Sequence, residues 1–351
     1  MALTIPLTRA GAQARGQRWV TKPMLLLLVL LVTFPLYAGA IGLYPYLGIE
    51  VTIWMLYGLG YNLLLGYTGL PSFGQGAFLG VGGYAYGLFY LNVSHNPLLA
   101  LLFAAAMGAV AGGLVGVSVA HRRGIYFALM TIAWGQVFWF VSMKWHTVTG
   151  GEDGLLNLHR SVFSLGPVQL DLANNVTLYY CSVGILAGSI ILLWRLVHSP
   201  FGKALQAIRM NETRARFVGY QVWWTKCAVI CLSGLFAGLA GGLLAITQES
   251  AYPDVMNVHS SGFIVMATLI GGGTVSFWGP VIGALVFIVA RDLLGAHTES
   301  WLLWYGLLFM LIVLFQPEGI AGAWQKYSRK LFRRRTELGP GLTTEVKDGP
   351  I

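Results

Sequence analysis

The residues of this chain that could do covalent chemistry are sparse and poorly spaced for it. Its seven histidines include no H-x-x-x-H or H-E-x-x-H pair, and Cys181, Cys227 and Cys231 show no C-x-x-C spacing. No G-x-x-x-x-G-K-[ST] loop occurs, so no nucleotide site, metal site or catalytic residue is expected in the chain itself. What it offers instead is polar side chains set into long apolar runs. The stretch from Asn62 to Phe78 interrupts such a run with Gly, Pro, Ser and Gln, and a helix should break there. Broken membrane helices are tolerated where the backbone lines a cavity, and the N-terminus of a half-helix presents free N–H groups to an anion such as a carboxylate. Asn62, Tyr67, Ser72 and Gln75, with Gln136 further on, are the candidates for lining a solute path. A plain hairpin packed through small residues would use the same composition. A second break falls at Gly271-Gly272-Gly273-Thr274.

The elements that must position these residues are legible from composition. Of 351 residues, 56% are hydrophobic, 46 are glycine and only 10% are charged, against roughly 25% charged in an average soluble domain. Mean hydropathy is +0.68. In lipid, small residues let helix backbones approach, so the glycines predict tight helix packing. The net charge of +9 lies in short basic clusters between apolar runs, which fits lipid headgroups better than nucleic acid. Runs near the ~20 residues needed to cross a bilayer fall at 24–46, 51–69, 72–92, 97–119, 124–142, 176–197, 227–247, 258–274, 279–296 and 301–316. Backbone groups cannot stay unpaired in hydrocarbon, and the alternating segments of a barrel are absent. The expected fold is therefore all-α, a polytopic transmembrane bundle of about ten spans with broken or re-entrant helices. Residues 258–296 admit either two crossings or one re-entrant loop. Ala38-Gly39-Ala40 resembles a leader-peptidase site, but the first run is long enough to span, and an uncleaved first helix is expected.

With the N-terminus in the cytoplasm, residues 1–23, 120–123, 198–226 and 324–351 share the inner face. Of the 22 lysines and arginines, only Lys144 and Arg160 then fall outside, and Arg195 and Arg291 within spans. The positive-inside rule supports this orientation, with both termini cytoplasmic. The expected organisation is a basic N-terminus (1–23), a transmembrane domain (24–323) with an inner loop at about 198–226, and a basic tail (324–351) disordered at its end. Arg291 and Asp292, adjacent on a helix, do not face each other and should find separate partners. No carboxylate or histidine relay stands at mid-span, which weighs against the main alternative, an ion-coupled secondary transporter of a small solute.

The inner loop, Ser199 to Tyr220, reads as one or two short amphipathic helices. Ala204, Ile208 and Ala215 supply small apolar faces, Arg209, Glu212, Arg214 and Arg216 polar ones, and Gly219 a stop. Such a helix binds lipid headgroups or inserts into a groove on a soluble partner. The outer segment 143–175, also long for a hairpin, carries Glu152 and Asp153.

Taken together, these segments resemble the permeases of branched-chain amino acid ABC importers, LivM type, over about residues 51–323. The resemblance is carried by Asn62 to Phe78, by Gly124-Ile125-Tyr126-Phe127-Ala128 with Thr131 to Gln136, by Thr149 to Gly154, by Ser199 to Gly219, and by the closing Phe315 to Gly322. It implies a permease subunit of a bacterial inner-membrane importer for branched-chain amino acids or related solutes such as urea and amides, with no enzymatic activity of its own. It further implies a second, LivH-like permease, two ATP-binding subunits that hold ATP and Mg, and a periplasmic solute-binding protein meeting Glu152 and Asp153. The inner loop would be the coupling segment that docks on an ATP-binding subunit, through Arg209, Glu212, Thr213, Arg214, Ala215 and Gly219. The family's degenerate importer motif falls on Thr213-Arg214-Ala215 and Gly219. The chain departs from the family at Leu70-Pro71-Ser72, usually Gln-Leu-Ser, and at Gln75, usually His.

Overall fold

The computed structural model describes residues 27–35, 44–160, 162–165, 168–274, 276–297, 300–315 and 319–322. The basic N-terminus, Ala38-Gly39-Ala40 and the tail from 324 lie outside the described residues. In chain order the helices are α1 (27–35), α2 (Pro45–Asn62), which continues as a π-helix over Leu63–Thr68, α3 (Gln75–Asn92), α4 (Pro97–Val119), α5 (Gly124–Lys144), α6 (His146–Thr149), α7 (Asn175–His198), α8 (Pro200–Met210), α9 (Glu212–Phe217), α10 (Val222–Gln248), α11 (Val258–Gly271), α12 (Gly279–His297) and α13 (Trp301–Phe315). Local chemistry sets many of their starts. Proline, which lacks the N–H that a first turn leaves orphaned, opens α2, α4 and α8. Asn96, Asn174, Asn211 and Asn257 accept from the backbone N–H of Leu98, Val176, Arg214 and Val258, capping α4, α7, α9 and α11.

Among the described residues, six helices are long and apolar enough to cross a membrane: α2 with its π-helical extension, α4, α5, α7, α10 and α12. Of the other expected crossings, that at 24–46 lies largely outside the described residues, and the remaining three correspond to shorter or less apolar helices. α3 is diluted by glycine, α13 has 15 residues, and α11, with 14, rises about 21 Å against a hydrocarbon core of ~30 Å. The helical expectation holds with one local exception, an antiparallel hairpin of β1 (Val162–Leu165) and β2 (Val168–Asp171) paired from Val162↔Asp171 to Leu165↔Val168. It lies in the segment expected to be an outer loop.

The centre of the bundle is α2 and α10. In their most apolar stretches 89% and 78% of residues are buried, against 22% for α5 at the periphery. Glycine makes this possible. Gly108, Gly112 and Gly116 of α4 lie on Gly234, Ile230 and Cys227 of α10, and a Cβ on Gly112 would come within 2.7 Å of the Ile230 carbonyl oxygen. Gly82 of α3 meets Gly238 of α10, which also lies on Gly108 of α4. This is the small-xxx-small contact by which membrane helices gain dispersion energy that lipid cannot supply.

One boundary moves. The inner loop was expected to run to about 226, but α10 already begins at Val222, and Lys226 inside it is fully buried. A lysine reads as loop from sequence because its charge is costly in a helix bundle. Here its Nζ lies 2.6 Å from Glu212 Oε2 and donates to the Arg122 carbonyl at 3.1 Å, so the charge is neutralised where it stands.

Candidate translocation path and coupling surface

The expected helix break is present and is built from backbone contacts. α2 first loosens into its π-helix, then Gly69, at φ +72°, ends it, and α3 restarts at Gln75 behind Gly74. Gly74 sits on α5: Phe73 N–H donates to Thr131 Oγ1 at 3.1 Å, and a Cβ on Gly74 would overlap the Thr131 carbonyl. The first turn of α3 is held on two more helices. Gln75 is fully buried and donates through Nε2 to Ser233 Oγ of α10 at 2.7 Å, and the Gly76 N–H donates to Ser261 Oγ of α11 at 2.7 Å. Four helices therefore meet at one polar node. Thr131, Ser233 and Ser261 were not singled out from sequence, where an isolated hydroxyl in an apolar run carries no signal.

The candidates for the path separate into two groups. Gln75 belongs to this node and Ser72 lies three residues before it in the break; both are buried, and Gln75 Oε1 finds no partner among the described residues. Gln136 is half-buried on α5, one position past Gly135, which packs on Gly74. Tyr67 lies in the last turn of the π-helix, and Asn62 stands just before its first residue. There the Asn62 amide borders Gly66 and Gly273, joining the first break to the glycine turn after α11. Both polar atoms of Asn62, together with Thr268 Oγ1 on α11, are buried without a partner among the described residues. Leaving such groups unpaired costs about 1–3 kcal/mol each, which marks a place built for a further polar contact. By contrast, an apolar cavity of about 470 Å³ between α3, α4 and α5, walled by Leu88, Phe89, Phe103, Phe138 and Trp145, offers a zwitterion no counter-charge. Gly74→Ala is expected to overpack the node and cost about 1–3 kcal/mol. Thermal unfolding in detergent measures this, with Gly113→Ala, whose Cβ would meet nothing within 4 Å, as the unaffected control.

The inner segment folds as the two short helices α8 and α9, meeting at Asn211. Glu212 is the brace: besides Lys226, its carboxylate lies 2.6 Å from Arg123 Nε and 3.7 Å from Arg216. Arg123 also reaches Thr213 Oγ1 at 3.5 Å. Ala215 is buried against Ile208 and Val222. Gly219, at φ +100°, closes the turn after α9 in a conformation that L side chains rarely adopt. Arg214 points outward. Arg209 donates to the carbonyls of Gly66 and Thr274. What sequence reasoning missed is the outer face of this elbow. Met210, Phe217 and Val218 are exposed at 86%, 87% and 73%. Met210 ends α8 and Phe217 ends α9, so the periodicity of no single helix groups them.

Glu152 and Asp153 are exposed on a 3₁₀ turn, Gly151–Asp153, and are not brought near either group. Their segment is fastened beyond the far end of α10. Leu155 bridges Ala251, and the Arg160 guanidinium caps α10, donating to the carbonyls of Thr247 at 2.7 Å and Ile246 at 3.2 Å while pairing with Glu249 at 3.2 Å. Lys226 and its partner Glu212 stand toward the other end of this 27-residue helix, about 33 Å away by helical rise. Arg291 and Asp292 do take separate partners, Glu50 at 2.6 Å and Tyr44 at 2.8 Å.

The chain is 28% identical to the high-affinity branched-chain amino acid transport system permease protein LivM of Escherichia coli (strain K12) over 287 residues, 76% of this chain and 67% of that one. It is 25% identical to the probable branched-chain amino acid transport permease protein LivH of Methanocaldococcus jannaschii over 292 residues, 79% of this chain and 91% of that one. A ribose import permease, RbsC of Bacillus subtilis, is 30% identical over 132 residues, 35% of this chain and 41% of that one. No solved structure matches. The family model described as branched-chain amino acid transport system / permease component matches residues 45–316, and that span holds the break, the elbow and the outer turn alike. The chain belongs to the family of branched-chain amino acid transport permeases.

Proposed function

We propose that the chain is the transmembrane permease subunit of a bacterial ABC importer for branched-chain amino acids or related small solutes such as urea and amides. The observation that carries this reading is the α8–α9 elbow, a braced pair of short helices that leaves Met210, Phe217 and Val218 exposed. An exposed apolar cluster on a rigid support is what a groove on a soluble partner recognises. In this reading two ATP-binding subunits hold ATP and Mg and dock on the elbow through Arg209 to Gly219. A second, LivH-like permease completes the pore, and a periplasmic binding protein delivers solute at Glu152 and Asp153. Similarity to permeases of both the LivM and LivH names supports a pair. The chain lies in the inner membrane with both termini cytoplasmic and about ten crossings, and it catalyses no reaction of its own. Solute passes the polar groups of Asn62, Tyr67, Ser72, Gln75 and Gln136 as the subunits alternate between outward- and inward-open states.

The test is reconstitution in liposomes. The chain with its second permease, ATP-binding subunits and binding protein is expected to take up labelled leucine only when ATP is supplied to the ATP-binding side, with ribose as the competing control. Uptake by the chain alone under a proton or sodium gradient would overturn this reading in favour of an ion-coupled transporter.

A further inference from the structure

Arg209 stands in the last turn of α8, and its Nη1 donates to two carbonyls that belong to neither α8 nor each other's helix. One is Gly66 O, in the π-helical end of α2; the other, at 2.9 Å, is Thr274 O, in the turn that follows α11. Each lies at the C-terminal end of a helix, where carbonyls lack intrahelical partners and the dipole presents negative charge. With α8 itself, three helix C-termini converge on one guanidinium. The stem of the side chain is held too: a Cβ on Gly69, at φ +72°, would come within 3.0 Å of Arg209 Cγ. The two loosened segments also touch each other, since a Cβ on Gly66 would lie 2.5 Å from the Gly273 carbonyl oxygen.

The elbow therefore has two different attachments. α9 is tied through Glu212 to Arg123, before α5, and to Lys226 on α10. α8 is tied through Arg209 to the ends of α2 and α11, and these are the two helices that carry the unpaired Asn62 and Thr268 side chains. We propose that Arg209 is the positioning residue through which movement of the coupling elbow reaches the core: it fastens α8 to both broken segments, so that displacing α8 pulls the α2 and α11 ends together. The inference rests on the permease reading above and adds to it which contact transmits the movement. An arginine suits this work because one nitrogen can bridge two carbonyls while its charge complements all three helix ends.

The experiment uses the complete transporter in liposomes with Arg209→Met, which keeps the apolar stem without a donor, and Arg209→Lys, which keeps a cationic donor. Uptake and ATP hydrolysis are measured together after confirming that each variant still assembles with its partners. Arg209→Met is expected to lower uptake about tenfold and to raise the ATP consumed per solute about fivefold or more, with lysine recovering most of the coupling. Three results would overturn the inference: uptake by the methionine variant within twofold of the unaltered protein, uptake and hydrolysis falling in proportion, or lysine performing no better than methionine. If the unaltered complex shows no ATP-dependent uptake, the permease reading itself fails and takes this inference with it. Normal coupling with an indifferent Arg209→Met strikes the inference alone.

Discussion

Ala215→Arg is expected to abolish solute uptake while leaving membrane insertion intact. Ala215 is 4% exposed and packs with Ile208 and Val222 on the inward side of α9, so its methyl group sets how closely α9 lies on α8 and α10. A guanidinium stem cannot fit there, and α9 must lift off, carrying Phe217 and Val218 with it; overpacking of this kind costs about 1–3 kcal/mol, enough to detach a six-residue helix. The rest of the bundle is untouched, because the span that packs on that methyl does so only through Val222, its first residue. Gly219→Asp should act the same way by a different cause. A Cβ there meets nothing within 4 Å, so no clash arises, but φ +100° is strained for any L residue and the turn back to α10 must change. Uptake in proteoliposomes, read beside protease protection of the outer segment, decides the matter: normal uptake in either variant would show that the elbow is only a surface helix.

Glu212→Ala should have the second largest effect, and on stability. Removing the carboxylate leaves the ammonium of Lys226, 0% exposed, beside Arg123 and Arg216 with only the Arg122 carbonyl to accept from it. Breaking a buried ion pair from one side costs roughly 3–5 kcal/mol, because the remaining charge has lost its neutralising partner. Trypsin should then cut the 199–221 segment far faster in the variant than in the unaltered protein. Adding Lys226→Met removes the stranded charge, and the double variant should recover most of the lost resistance. A double variant as labile as Glu212→Ala would mean that the carboxylate acts through Arg123 and Arg216 instead.

Several features of the fold and site were legible because they are local. The glycine and proline interruption after Asn62 and the short amphipathic helices between Ser199 and Tyr220 both follow from residue types within a few positions. Lys226 was misplaced because its neutralising carboxylate comes from Glu212, on a separate helix. The polar node at Gln75 was only half visible: the glutamine and the break could be read, but Ser233 and Ser261 acquire meaning only through the helices that carry them past α3. Met210 and Phe217 were invisible for the opposite reason, since exposure is the absence of a neighbour and only packing reveals it.

The sequence by itself determined that this is a glycine-rich helical membrane protein with an interrupted second span and a basic loop over 198–226. Composition, periodicity and turn residues act over one or two turns, and they suffice for that. Tertiary structure alone decided that Gly66 and Gly273 touch, that Arg209 reaches both breaks from the elbow, and that Glu212 holds the elbow to α10. These contacts join residues far apart in the chain across gaps of a few ångströms, and their geometry depends on how closely the glycine seams let the helices approach.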